Sequence, residues 1–238
     1  MEKTRLIPDE LRGKNTELSS EKVCKTEEQA VELYHEAVSR LLHPDLWGEI
    51  AGALSADFRL FKMEGPGINK NDPGNIPAGA GTGTATKTGE ADLLKRLAGK
   101  NRAEEGDRIR ISIPGPGSKS GDGYDWVEIL LIESKQADDK EEEYTGMKVQ
   151  PTDNPESDDD TPAHFLEPGS TSTFLIHRMG TTVTAAYYGR NEKINTHTSS
   201  VVDKIRNALV ALGAFIGFSE VQWKALVKGL LNPVNEKD

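Results

Sequence analysis

Two runs of strand-forming residues, Ser172 to His177 (STFLIH) and Thr182 to Tyr188 (TVTAAYY), flank Met179 and Gly180. So short a connection cannot hold a crossover helix, so the two runs must be antiparallel neighbours. Gly180 supplies a residue that adopts positive φ without penalty in the tight turn between them. The hairpin therefore commits this chain to an antiparallel sheet. Other segments extend it. In Asp107 to Ile113 (DRIRISI), Ile109, Ile111 and Ile113 share one face while Arg108, Arg110 and Ser112 share the other, the period of a half-buried strand. The Gly-rich turn Pro114 to Gly123 leads into a returning strand, Trp126 to Glu133. Ala56 to Met63 and the short Met147 to Val149 are further strand candidates.

Helices bracket these strands. Thr26 with Gln29 three residues later forms a capping-box signature, followed by Val31, Tyr34, Val38, Leu41 and Leu42 at helical spacing. Pro44 ends that helix, and Trp47 and Ile50 pin the following turn. A second helix is expected over Asp203 to Phe218, with Ile205, Ala208, Leu209, Leu212 and Ile216 as its apolar stripe. A third starts at the Ser219/Gln222 cap, carries Val221, Trp223, Leu226, Val227 and Leu230, and ends at Asn232 and Pro233. One or two helical turns are expected over Ala91 to Leu97. The sum is an α+β fold: an N-terminal helix, a curved antiparallel sheet or small barrel, and two C-terminal helices. Gly106-Asp107-Arg108-Ile109 followed by Trp126-Val127-Glu128-Ile129 resembles the turn-and-strand pattern of SH3-like or OB-like barrels, which implies a curved sheet and no particular activity. Residues 1–25 read as a flexible arm, 26–232 as one domain with mobile loops at 64–89 and 137–162, and 233–238 as a tail.

Charge narrows the partners. With 29 basic and 39 acidic residues the net charge is −10, which disfavours a nucleic-acid partner, whose phosphates demand Lys and Arg. The acidity is local: ten acidic residues and two lysines fall between Ala137 and Asp160, and the remainder is close to neutral. Cys24 is the single cysteine, so an internal disulfide and a thiolate metal cluster are both excluded and a reducing, cytoplasmic setting is expected. The opening segment MEKTRLIPDELRGKN lacks the apolar core of a secretory signal, and no segment approaches a membrane span, so no membrane insertion is expected.

Four places carry candidate chemistry. Gly81 to Thr88 follows a phosphate-loop pattern except that Thr86 stands where a Gly must precede the Lys, and no apolar strand leads into it, so it reads as a loop. Asp122 and Asp125 in SGDGYDW suit Asx-type turns better than a cation site, since calcium needs more oxygens than they supply. His164 follows Asp158-Asp159-Asp160, but no paired-histidine motif occurs, so neither metal nor cofactor is expected. Arg190, Asn191 and Glu192 end a strand, where a rigid scaffold presents a guanidinium, an amide and a carboxylate to a ligand or partner. The uncharged run Ala208 to Phe218 needs cover on all sides, and Trp223 on the next helix is a natural interface anchor.

These features favour a non-catalytic, cytoplasmic protein-binding or assembly protein, joined to a protein partner or to its own copies through the C-terminal helices and the strand-end polar cluster. The alternative is a small-ligand enzyme, a hydrolase with a pocket under the curved sheet using Asp125, His164, Arg190 and Glu192.

Overall fold

The structure is a computed structural model that describes residues 6–9, 13–52, 56–63, 97, 100–112, 124–137, 141–157, 166, 169–193 and 220–232. Among the described residues there are seven strands: β1 (Lys14–Val23), β2 (Asp57–Phe61), β3 (Arg108–Ser112), β4 (Asp125–Gln136), β5 (Glu142–Pro151), β6 (Thr171–Met179) and β7 (Thr182–Glu192). They form one antiparallel sheet in the order β1-β7-β6-β5-β4-β3-β2. From β2 to β7 the chain meanders, each strand pairing with the next, and β1 joins at the far side of β7. Because β1 and β2 lie at opposite ends, the sheet is open. Of the two expected forms the structure has the sheet and not the barrel.

The helices α1 (Glu27–Leu41), a 3-10 turn (Pro44–Leu46), α2 (Trp47–Ala51) and α3 (residues 220–231) pack on one face of the sheet, called here the front. Thr26 caps α1 through a hydrogen bond from the Gln29 amide at 3.3 Å, and the Gln29 side chain returns a bond to the Lys25 amide at 3.2 Å. The reciprocal pair read from the sequence forms, displaced by one residue on the second bond. Ala30, Leu33, Tyr34, Ala37 and Leu41 bury the apolar stripe of α1. The three helices lock through Arg40 and Trp47. Arg40 Nη1 donates to the Leu230 carbonyl at 3.0 Å near the end of α3, and Trp47 Nε1 donates to the Arg40 and Leu41 carbonyls at the end of α1. All three bonds fall on carbonyls in the last turn of a helix, where the intrahelical ladder runs out of donors.

Among the described residues there is one C-terminal helix, not two. The helix expected over 203–218 lies outside the described residues, as do the loop expected over 64–89 and the tail 233–238. A strand, β1, precedes the N-terminal helix, within the stretch read as a flexible arm. The acidic stretch read as a loop around a short strand contains β5, near the middle of the sheet. There Arg178 Nε meets buried Glu143 at 2.6 Å and His177 Nε2 meets Glu142 at 2.9 Å.

The front core is aromatic at its centre. Trp47, Phe58, Phe174, Tyr187 and Trp223 pack in successive edge, tilted and stacked contacts with centroids 4.9 to 6.0 Å apart, the spacing at which ring quadrupoles attract. On the back face, fully buried Leu6 packs over Gly146 beside Leu175, Tyr144 and Ala186, and its carbonyl accepts from Thr173 Oγ1 at 2.8 Å. No helix among the described residues is long and apolar enough to cross a membrane.

Candidate binding edge at strands β1 and β7

The strand-end cluster is shaped by a bulge. Between Lys14↔Glu192 and Thr16↔Gly189 the pairing shifts, leaving one more residue on β7 than on β1. Asn191 absorbs it at φ 56°, the left-handed region that Asn tolerates better than most side chains. An extra residue inverts the alternation of faces beyond it. Arg190 thus lies on the back face with Tyr188, its guanidinium 5.3 Å from that ring. Glu192 turns to the front, where Tyr187 lies.

Glu192 accepts hydrogen bonds from Thr16 Oγ1 at 2.8 Å and from the Tyr187 hydroxyl at 3.2 Å, and that hydroxyl is also 3.0 Å from Ser172 Oγ. The carboxylate lies over Gly189, where a Cβ would come within 2.5 Å of it. Burial pushes the Tyr187 phenol far above its ordinary value, and the adjacent Glu192 charge pushes it in the same direction. Tyr187 is therefore a neutral donor. Trp223 stacks on its ring at 5.4 Å with planes 16° apart. The group reads chemically as a carboxylate already supplied with donors, closing the end of the core.

Its neighbours fasten β1. Lys14 pairs with Glu220 of α3, and Glu17 pairs with Arg190. Asn15 Oδ1 accepts from the Asn191 amide at 3.2 Å, and Thr16 holds Glu192. Four successive residues of β1 are thus tied by their side chains, Lys14 to α3 and Asn15, Thr16 and Glu17 to β7, beside the backbone ladder on either side of the bulge. The Asn191 side chain reaches the Asp9 carbonyl at 3.5 Å, so the segment leading to β1 is held too.

The outer side of β1 is different. Among the described residues β1 has a strand neighbour only in β7, and seven of its ten residues are exposed. Cys24 donates its amide inward to the Thr181 carbonyl at 2.9 Å. By the alternation of an antiparallel ladder, Glu17, Ser19, Glu21 and Val23 then direct their backbone groups outward. The other edge is guarded. Strand β2 has five residues, and Asp45 Oδ1 of the 3-10 turn accepts from the Leu60 amide at 2.9 Å.

The remaining candidates do not join this cluster. Asp125 is buried on β4, which β5 and β6 separate from β7. That is about 14 Å across the sheet at ordinary strand spacing. Arg190 and Asp125 therefore do not share a hydrogen-bonded site. Asp122 and His164 lie outside the described residues. Trp223, the expected interface anchor, faces the chain's own aromatic core. No group of metal-ligating side chains occurs among the described residues. Thr16 and Glu17 escape sequence reading because β1 (KNTELSSEKV) has Leu18 as its one interior apolar residue, so no period-2 pattern of hydrophobicity appears.

No family model and no curated protein matches the chain. Among solved structures, a hypothetical protein from Helicobacter pylori is similar at 12% sequence identity, covering 91% of this chain and 86% of that one, with a TM-score of 0.41. So distant a likeness transfers no activity.

Proposed function

We propose that this chain is a non-catalytic protein-binding protein that takes an extended segment of a partner onto the outer edge of β1. The supporting observation is the contrast between the two edges: β2 is short and capped by Asp45, whereas β1 is long, exposed and braced by Lys14, Asn15, Thr16 and Glu17. An edge strand offers a row of unused amides and carbonyls, and holding it rigid in advance removes part of the ordering entropy of strand addition. The polar cluster at the end of β7 serves the reading indirectly, as the brace. A reducing, cytoplasmic setting belongs to the same proposal and is motivated by the lone Cys24.

Charge favours a different chain over a second copy as the occupant. Antiparallel self-pairing centred on Ser19 sets Glu17 against Glu21, and centring it on Leu18 sets Lys14 against Lys22, like-charge oppositions that destabilise a sheet. Centring it on Ser20 sets Glu17 against Val23 and Lys22 against Leu18 and so leaves these charges without an opposite partner. A suitable partner places Lys or Arg opposite Glu17 and Glu21 and an acidic residue opposite Lys22. The test is an NMR titration of the labelled chain with an extended peptide built to that pattern. Saturable shifts along β1 are expected, and Ser19→Pro, which removes an outward amide and spares the β7 ladder, should abolish them while the fold persists. Shifts confined to α3, or an unchanged response in the Ser19→Pro chain, would overturn the reading.

A further inference from the structure

At the opposite end of the sheet, on the back face, Arg59 of β2, Arg110 of β3 and Trp126 of β4 stand directly opposite one another in a lateral row. Two arginines paired across neighbouring strands repel, and an anion lying against both relieves that repulsion. Arg59 is largely exposed, with Asp57 on the same strand at 3.7 Å. The Arg110 guanidinium sits 4.3 Å from the centre of the Tyr124 ring and 5.4 Å from that of Phe61, and makes no hydrogen bond or ion pair among the described residues. Stacking of this kind holds the planar fork in place and leaves its N–H groups unspent. Phe61 also meets Trp126 edge-on at 4.8 Å. Trp126 is 1% exposed, yet its indole N–H has no partner among the described residues. A buried donor left unpaired is rare in folded proteins and marks a place where an acceptor is missing. Every unspent polar group in the row is thus a donor.

The next row shows which acceptor suits this surface. Arg108, two residues from Arg110 and on the same face, donates from Nη1 to the Asp153 carboxylate at 2.8 Å and to the Asp153 carbonyl at 3.0 Å. An acidic segment of the chain therefore already docks by a carboxylate on one arginine of β3, while its neighbour stands open.

We propose that the Arg59–Arg110–Trp126 row is a binding site for a carboxylate ligand, with Tyr124 and Phe61 as the aromatic walls that orient Arg110. The site is separate from the β1 edge and independent of the function proposed there. It is tested by following the three indole N–H signals of the labelled chain, that of Trp126 being assigned by its loss in Trp126→Phe. The titrants are succinate, a peptide of alternating Glu and Ser, and inorganic phosphate. The expected result is a saturable shift of the Trp126 signal with a carboxylate, the Trp47 and Trp223 signals staying in place. Response to succinate identifies a small carboxylic acid as the ligand type, and response to the peptide alone identifies an acidic protein segment. Arg110→Gln should weaken binding about tenfold or more, the loss expected for a charge-assisted hydrogen bond. Arg59→Gln supplies the same comparison should the first variant not fold. No saturable shift with either carboxylate, equal binding in the arginine variants, or equal binding of phosphate would overturn the proposal.

Discussion

Gly229 on α3 lies so close to α2 that a Cβ there would press on the Ile50 carbonyl oxygen and carbon. In an exposed helix, Gly→Ala gains about 1 kcal/mol. Here backbone meets backbone, which cannot rotate away, so overpacking dominates. Gly229→Ala should destabilise the chain by about 1–3 kcal/mol, read from the urea midpoint at unchanged slope. His43 supplies a pH dependence. Burial lowers its pKa from the ordinary 6.5, and the nearby Arg102 and Lys100 charges add to that, against the pull of the Ser39 carbonyl and of Asp45. A folded-state pKa below the unfolded one contributes stability that is present above 6.5 and lost as the pH falls through the depressed folded value. Thermal melts of the wild type and His43→Gln should therefore converge on acidification, with the wild type losing stability the faster. Neither effect is legible in the sequence. Gly229 and His43 acquire their roles from residues that only the fold brings against them.

Legibility also divides among the elements. The isoleucine alternation of β3, the hairpin of β6 and β7 and the cap of α1 are local signals, and the structure keeps all three. Strand β7 runs beyond Tyr188 to Glu192 because the bulge at Asn191 keeps the ladder going. Strand β1 was hidden and β5 was read only over Met147 to Val149, for opposite reasons. The edge strand buries too little apolar surface to show a period, whereas β5 carries Glu142 and Glu143, whose hydrogen-bonding partners His177 and Arg178 come from the next strand. The Arg178–Glu143 pair is almost wholly enclosed, and Arg178 also donates to the Glu141 carbonyl just before β5 and to the Gly180 carbonyl at the β6–β7 turn. Removing one partner strands a buried charge. Arg178→Met alone should cost about 3–5 kcal/mol, and pairing it with Glu143→Leu should recover most of that loss, because two apolar groups leave no unpaired ion. Denaturant melts of the single and double variants measure the difference. A single variant as stable as the wild type would mean the pair contributes nothing to the centre of the sheet.

For the whole molecule, antiparallel architecture with helices to one side was readable from short connections and capping signals. Openness was not, because barrel closure depends on whether the first and last strands meet, and β1 carried no strand signal. The candidate site was legible in part. Arg190, Asn191 and Glu192 do form a structured strand end, but as the brace of an edge whose other half lay in an apparent arm. That bracing is the central claim, and amide hydrogen exchange along β1 in the unliganded chain tests it most directly. If the edge is held on one side and open on the other, Leu18, Ser20 and Lys22, bonded inward to β7, exchange slowly. Glu17, Ser19 and Glu21, which point outward, then exchange at rates close to those of exposed peptides. Uniform fast exchange would show that β1 is not anchored, and uniform protection would show that the outer edge is already covered; either result contradicts the account.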